Sequence, residues 1–167
     1  MHHFIMIQME KSYEERIKVN LTQEEIDKQY NGDIQIDMVG DQYHLLAKML
    51  RVVAGIDRIV IPGDFKSAQN GSQAIACSIK VSDGYLYPLQ RSLIFIQKPI
   101  TYIKHKEIKY VEFNRIGNQS GGIGKSFDIT VAKVDQEGQA SETFKNIDKK
   151  ELKVMIQYFQ SAGIKMR

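Results

Sequence analysis

A run of three short, β-prone segments between residues 77 and 99 constrains the fold of this chain more than any other feature. Ser82-Asp83-Gly84 lies between the first two, and it is typical of a turn because glycine tolerates positive φ and aspartate can hydrogen-bond its own backbone. Pro88 lacks a donor for a strand ladder, which favours an edge strand or a bulge. The pattern predicts a compact β-meander with strands at residues 77–81, 85–89 and 92–97.

Composition favours an ordinary globular protein of a reducing compartment. Cys77 is the single cysteine among 167 residues, so an internal disulfide is impossible. The first residues, Met-His-His-Phe, lack the cationic start, apolar run and cleavage site of a signal peptide. No apolar stretch approaches the ~20 residues that a membrane span needs. We therefore expect a soluble intracellular protein.

Charge is distributed unevenly along the chain, although the net charge is only +3. Residues 1–57 hold six Lys/Arg against ten Asp/Glu, whereas residues 58–167 hold seventeen against ten. The halves therefore carry −4 and +7, which suggests two modules with different surfaces. An anionic partner would explain the basic half, but a solvated face without a partner explains the charge equally well.

Apolar patterning in the first 57 residues predicts alternating strands and helices. Thr22 and Glu25 have the spacing of a capping box, in which each side chain satisfies the backbone amide of the other. Gly55 stands just after an apolar stripe at helical spacing, where a left-handed C-cap is favoured. We predict extended segments at residues 4–9, 16–21 and 34–39, and helices at 22–31 and 41–54.

The remaining residues predict a strand-rich module that ends in a helix. Residues 62–72 form a polar loop and residues 118–124 a glycine-rich loop. Asp148 and Glu151 have the spacing of a second capping box, and an apolar stripe closed by Gly163 follows them. Besides the meander, we predict strands at residues 59–61, 101–104, 107–116, 126–134 and 140–145, with a turn at 136–138.

Residues 121–126, Gly-Gly-Ile-Gly-Lys-Ser, look like the end of a nucleotide-binding P-loop. The Walker pattern also needs a glycine five residues before Gly124, where this chain has Gln119. A P-loop must lead into a helix whose N-terminus holds phosphate, but residues 127–131 alternate as a strand. A flexible hairpin loop with one basic residue, Lys125, is the preferred interpretation.

Catalytic and metal-ligating patterns are not evident elsewhere in the sequence. His44 falls on the outer side of a predicted helix, and His105 stands among lysines that would repel a cation. No motif pairs Cys77 with a histidine that could activate it as a nucleophile. A cysteine in a strand usually belongs to the core, because its side chain is small and apolar. We therefore expect no enzyme activity, no metal and no cofactor.

The remaining candidate for function is a basic surface formed by residues 91–125. Strand alternation is expected to place Lys104 and Lys106 on one face, and likewise Lys109 and Arg115. Such a surface suits contact with a phosphate backbone, since each neutralised phosphate releases counterions. Gln8 is a weaker candidate, because its amide interrupts an apolar run and faces either solvent or a partner. The basic candidates are Arg91, Lys98, Lys104, Lys106, Lys109, Arg115 and Lys125.

The meander resembles the middle domain of the smaller, structure-specific-recognition subunit of the FACT histone chaperone. That family carries a Gly-(Tyr/Leu)-Leu-Tyr-Pro-Leu core in a pleckstrin-homology (PH) like barrel, and residues 84–89 match it here. The resemblance extends across nearly the whole chain. Further matches in order and spacing are Ile61-Pro62-Gly63 with Phe65, Ser126-Phe127-Asp128, and Thr143-Phe144 with Ile147.

The resemblance implies a mainly β (α+β) fold with two modules. Residues 58–167 would form a PH-like bent barrel of about seven strands, capped by a C-terminal helix. Residues 1–57 would be the C-terminal part of a preceding PH-like module. The chain would then be a piece of a longer protein.

The resemblance also implies a non-catalytic histone chaperone module that works on chromatin in the nucleus. Its partners would be core histones, the larger FACT subunit and duplex DNA, with no membrane. It would reorganise nucleosomes during transcription, replication and repair by holding histone surfaces that DNA otherwise covers. Histones are basic, so either the acidic first module and residues 62–72 hold them, or their contact depends on shape; the sequence leaves both open.

Two other functions compete with this interpretation. A phosphoinositide-binding, PH-type membrane adaptor would use Lys80 and Arg91, which flank the turn region of residues 81–89. Asp83 in that turn and the lack of a dense Lys/Arg cluster weigh against this adaptor. The third possibility is a scaffold that only holds larger subunits together.

Overall fold

The computed structural model describes residues 4–9, 14–56, 59–117, 124–134 and 141–167. The chain divides into two compact units, Met1–Val60 and Ile61–Arg167. The first unit contains β1 (Glu14–Lys18), α1 (Gln23–Tyr30), β2 (Asp37–Asp41) and α2 (Gln42–Val53). The second unit contains β3 (Ile75–Ile79), β4 (Ser82–Pro88), β5 (Ser92–Ile96), β6 (Thr101–Lys104), β7 (Ile108–Asn114), β8 (Ser126–Lys133), β9 (Glu142–Asp148) and α3 (Leu152–Ser161).

The first unit packs two helices with a two-stranded antiparallel sheet formed by β1 and β2. The predicted capping box is confirmed: the Glu25 amide donates to Thr22 Oγ1 at 3.3 Å, and the Thr22 amide donates to Glu25 Oε2 at 2.8 Å. Gly55 has the expected left-handed φ of +61°. The buried core of the unit consists of Ile26, Ile34, Met38 and Leu45.

Two strands predicted in or beside this unit are wrong. Residues 4–9 have no regular secondary structure, and Ile5 is 93% exposed rather than buried. Residues 59–61 also form no strand, and Ile61 is 73% exposed. An apolar run becomes a strand only when its backbone amides and carbonyls find a ladder partner, and no described strand pairs with either segment.

The second unit is built on one antiparallel sheet with the strand order β6-β5-β4-β3-β9-β8-β7. The edge strands β6 and β7 are consecutive in the chain and are joined by only three residues, His105–Glu107. So short a connection requires the two edges to approach each other, and the sheet therefore curls. The predicted order of seven strands followed by one helix is confirmed, while the predicted turn at 136–138 lies outside the described residues.

One core fills the curled sheet, and α3 closes it. Alternate residues of the strands point inward, so that Phe95, Phe127 and Phe144 are fully buried. The helix adds Met155 and Phe159, which are also fully buried in the same cluster. Burial of an aromatic side chain of this size stabilises the fold by roughly 1.5–3 kcal/mol. The helix is thus part of the core and fixes the open end of the sheet.

The meander is confirmed, but its first turn is not where the sequence indicated. Lys80 and Val81 form the turn, with Lys80 at φ +55°, whereas Gly84 is buried within β4. A Cβ at Gly84 would lie 2.5 Å from the carbonyl oxygen of Ile96 and 2.6 Å from the Phe95 ring. This glycine therefore serves close packing and not a turn. Pro88 likewise ends β4, an interior strand, and does not mark an edge.

We predict that Gly84→Ala destabilises the second unit by about 2 kcal/mol or more, because overpacking against a backbone carbonyl cannot be relieved by a rotamer change. Denaturant unfolding followed by far-UV circular dichroism measures this difference. Gly117→Ala is the matched control, since a Cβ there meets no atom within 4 Å. Equal unfolding midpoints for the two variants would contradict the packing role of Gly84.

Candidate binding surface

Five basic residues gather where β6 turns into β7. The backbone amide of His105 in this turn donates to the carbonyl of Arg91 at 2.9 Å, which brings the β4–β5 turn to the same corner. Lys133, at the end of β8, lies opposite the first residue of β7 in the ladder. We call this set the corner group: Arg91, Lys104, Lys106, Lys109 and Lys133.

The corner group contains four of the residues that the sequence indicated, and the structure adds Lys133. Arg91, Lys106 and Lys109 are exposed, and Lys104 and Lys133 are half-buried. Lys104 ends β6 and Lys106 lies in the following 3-10 turn, so their proximity comes from the turn and not from alternation along one strand. Lys133 lies outside residues 91–125, where the sequence predicted the basic surface. The antiparallel pairing of β7 with β8 is the signal that could have identified it.

The other predicted basic residues lie elsewhere. Lys98 is in the β5–β6 turn, at the end of these strands opposite to Arg91 and Lys104. Arg115 follows β7 at the end away from Lys109, so the length of the strand separates these two residues. Gln8 is exposed and belongs to the first unit. The single continuous surface expected from the sequence is therefore divided.

Arg115 is engaged in an ion pair within the second unit. Its guanidinium lies 2.5 Å from Asp128 Oδ1, and Asp128 is only 9% exposed. The same carboxylate oxygen accepts the backbone amide of Asn146 at 3.0 Å. A buried carboxylate requires such partners, so the main role of Arg115 is to compensate Asp128.

A second basic set surrounds the beginning of α3. The backbone amide of Lys149 donates to the carbonyl of Lys125 at 3.0 Å, which joins the start of β8 to the start of the helix. β8 begins at Ser126, so the strand interpretation of the P-loop-like sequence is confirmed, while residues 118–123 lie outside the described chain. We call this set the helix-start group: Lys66, Lys125, Lys149, Lys150 and Lys153.

Most of the helix-start group was missed at the sequence level. Lys150 and Lys153 are exposed at helical spacing, opposite the apolar stripe of α3, and this pattern could have identified them. Asp148 caps the turn before the helix as predicted, accepting the Lys150 amide at 2.8 Å. The expected reciprocal role of Glu151 is wrong, because its carboxylate is directed elsewhere.

Glu151 holds the polar loop of residues 62–72 against the helix. Its side chain is 2% exposed and accepts the Ser67 hydroxyl at 2.6 Å. It also accepts the backbone amides of Ala68 at 2.9 Å and Gln69 at 3.1 Å. Three donors satisfy the buried carboxylate. The loop is thereby fixed in place, and Lys66 is positioned beside the start of α3.

A hydrogen-bond network ties α3 to the corner. Tyr158 Oη donates to the carbonyl of Leu89 at 2.7 Å and lies 2.7 Å from His105 Nε2. Burial lowers the pKa of His105, so its ring is neutral at pH 7. Burial also raises the pKa of the Tyr158 hydroxyl, which therefore stays protonated and able to donate. The positive charge of the corner thus comes from lysine and arginine and not from His105.

Among the described residues, no cluster of His, Cys, Asp and Glu could hold a metal ion. Cys77 lies inside the sheet, 4% exposed, and burial raises the pKa of its thiol to about 12. A thiol with so high a pKa has almost no nucleophilic thiolate at neutral pH. Within the same part of the chain, no helix is both long and apolar enough to cross a membrane.

Comparison with known proteins identifies the family. Residues 73–167, more than half of the chain, match the family model described as "Histone chaperone Rttp106-like, middle domain". The chain belongs to this family. The Rttp106-like segment covers β3 through α3, which form the curled sheet and its closing helix. Residues 1–57 match a second model, described as "SSRP1 PH domain".

Curated relatives match nearly the whole Rttp106-like chain. The FACT complex subunit SSRP1 of Dictyostelium discoideum is 35% identical over 149 residues, which is 88% of this chain and 27% of the relative. The FACT complex subunit ssrp1-B of Caenorhabditis elegans is 30% identical over 164 residues, 98% of this chain and 23% of the relative. The FACT complex subunit POB3 of Saccharomyces cerevisiae is 29% identical over 164 residues, 98% of this chain and 29% of the relative. The chain thus spans about a quarter of the length of the relatives that it matches.

We predict that Glu151→Ala lowers the free energy of unfolding by about 3 kcal/mol, because it removes the acceptor of the Ser67 hydroxyl and of the Ala68 amide, and one of the two acceptors of the Gln69 amide. Hydrogen exchange followed by NMR is expected to accelerate at the Ala68 and Gln69 amides. Glu112→Ala removes an exposed carboxylate on β7 and is the control. Unchanged exchange at these two amides would contradict the role of Glu151 as the loop anchor.

We predict that Ellman's reagent modifies Cys77 of the native protein at pH 8 only at the rate at which the sheet opens. The cause is twofold, since the thiol is buried and its pKa of about 12 leaves it protonated. Labelling in denaturant, where the thiol is exposed, provides the reference rate. Rapid native labelling at the reference rate would show that Cys77 is accessible.

Proposed function

We propose that the chain is a non-catalytic histone-chaperone module of a FACT-type complex, acting on chromatin in the nucleus. The observation that carries the proposal is similarity to FACT complex subunits across almost the full chain, with 98% of its residues aligned to the relatives from Caenorhabditis elegans and Saccharomyces cerevisiae. The description of the matched family as a histone chaperone supports it. Under this proposal residues 1–57 are the last part of one PH-like module, and residues 58–167 are a second.

The proposed partners are core histones, duplex DNA and the larger FACT subunit. Binding would work by competition: the module holds a histone surface that DNA would otherwise cover. The free-energy cost of partly opening a nucleosome then falls without ATP hydrolysis, because the module occupies the histone surface that opening exposes. In this way the module would reorganise nucleosomes during transcription, replication and repair.

The corner group is the proposed DNA contact. It combines five cations, of which Arg91, Lys106 and Lys109 are exposed, at one corner of the second unit. Such a concentration suits the closely spaced phosphates of a duplex. Lys98, Lys125 and Gln8 would take part only where the partner extends beyond the corner, and Arg115 would contribute little because it compensates Asp128.

The acidic charge of residues 1–57 supports a division of labour between the two modules. With −4 on these residues and +7 on the remainder, histones would be attracted to the first module and DNA to the second. The phosphoinositide alternative has little support. Lys80 and Arg91 lie at opposite ends of β4, whose seven residues extend roughly 23 Å, so they cannot grip one headgroup.

The test is binding of the purified chain to refolded core-histone complexes and, separately, to naked duplex DNA at ~150 mM salt. We expect saturable binding to histones that DNA does not reproduce, together with weaker, salt-sensitive binding to DNA. If the chain does not bind histones and its binding to DNA disappears as salt rises, the module is only a nonspecific basic domain. Binding to neither partner would contradict the proposal.

The proposed DNA contact is tested by reversing three charges of the corner group in one variant, with Lys104→Glu, Lys106→Glu and Lys109→Glu. Affinity for DNA is expected to fall more than tenfold, and the slope of log affinity against log salt to flatten by about 2 to 3, since each lost phosphate contact contributes ~0.9. Reversal of the exposed Lys48, Lys80 and Lys145 makes the same charge change away from the corner. An equal loss in both triple variants would show an unlocalised charge effect and remove the corner group as the site.

A further inference from the structure

A groove of about 580 Å³ runs along α3 in the second unit. One wall is the helix, including Val154, Gln157 and Ser161, and the other is the chain at residues 63–66. The β4–β5 turn closes one end of the groove with Leu89. Its volume is in the range of sites that bind small molecules or short peptide segments. The corner group lies outside it, so the DNA contact proposed above does not use it.

The floor of the groove is apolar and aromatic. Phe65 and Tyr158 meet edge to face, with ring centroids 5.9 Å apart. The Tyr158 hydroxyl is engaged by the carbonyl of Leu89, so this residue presents mainly its ring to the groove. Pro88 and Ala162 extend the apolar lining. A surface of this kind favours one large apolar side chain and adds nothing to the binding of a phosphate backbone.

The groove is preformed, because both ends of the loop wall are fixed. Glu151 holds the backbone just after Lys66, as described above. At the other end, Gln73 Nε2 donates to the carbonyl of Gly63 at 3.0 Å. Preorganisation lowers the entropy that a ligand must remove on binding. A ligand therefore meets a finished site and does not need to order the loop.

Charge around the groove favours an acidic ligand. Lys66 lines it, Lys153 lies on α3 next to Val154, and Lys150 lies in the 3-10 turn just before the helix; all three are exposed. Asp64 is the single acid among the described lining residues. The carboxylate of Glu151, in the middle of these lysines, is buried and already satisfied. Acidic residues of a ligand would thus find three ammonium groups at one end of the groove.

We propose that this groove binds an extended peptide that inserts one large apolar side chain between α3 and residues 63–66, with neighbouring acidic residues at Lys66, Lys150 and Lys153. The amides of Gln157 and the hydroxyl of Ser161 line the groove where the main chain of such a peptide would pass. DNA would satisfy the lysines but leave the apolar floor exposed. An acidic peptide with an apolar anchor satisfies both.

The test uses the full chain and a short fluorescein-labelled peptide with one central phenylalanine flanked by aspartates. Fluorescence anisotropy is expected to give saturable binding, and replacement of the phenylalanine by alanine to weaken it at least about tenfold. Ser161→Trp, which fills the groove from an exposed position, is expected to abolish binding. Lys66→Glu together with Lys153→Glu is expected to weaken it at least about tenfold, and Lys80→Glu together with Lys145→Glu, both outside the groove, is the matched control.

Each outcome of this experiment supports or overturns the proposal that the groove binds a peptide. Equal affinity of the phenylalanine and alanine peptides would show that charge alone attracts them, which overturns the proposal. Absence of binding up to about 1 mM with a natively folded chain would also overturn it. If duplex DNA displaces the peptide and Ser161→Trp weakens the binding of peptide and of DNA, the groove is a nucleic-acid site and the proposal is overturned. If Ser161→Trp abolishes peptide binding but leaves histone and DNA binding unchanged, the groove acts independently of the proposed chaperone function.

Discussion

The short connection between β6 and β7 is the constraint on which the second unit depends. Three residues between the two edge strands force the sheet to curl, and a curled sheet of seven strands encloses a single core. The open end of that core is closed by Met155 and Phe159 of α3. Tyr158 of the same helix then fixes the β4–β5 turn. Corner group, groove and closing helix all follow from this one turn.

Local chemistry predicted most helices and strands of the two units, and the failures have a common cause. Strand alternation and capping depend on neighbours in sequence, so the seven strands, the Thr22 capping box and the final helix were predictable. Gly84 was misassigned to a turn because its role depends on Phe95, a contact across the sheet that sequence does not display. Residues 4–9 were misassigned because apolar periodicity does not specify whether a ladder partner exists.

The candidate surface was predictable in composition but not in geometry. The distribution of charge along the sequence identified Arg91, Lys104, Lys106 and Lys109, but alternation along one strand does not show how the β4–β5 turn comes beside the β6–β7 turn. Lys133 joins through pairing of strands distant in sequence. The groove was invisible at the sequence level, because its walls come from three separate segments and its loop is held by Glu151, whose spacing from Asp148 resembles an ordinary cap.

The burial of two carboxylates has a consequence for how the second unit meets other ions. Asp128 is matched by Arg115 and Glu151 by a hydroxyl and two amides, so both acids are withdrawn from solvent contact. The formal charge of residues 58–167 counts them all the same. The Asp128–Arg115 pair withdraws one anion and one cation together, so it leaves the balance of surface charge unchanged. Glu151 is different, because uncharged donors satisfy it and no lysine is neutralised by its burial. A polyanion or a cation-exchange resin therefore meets the exposed lysines beside Glu151 without that carboxylate competing for them.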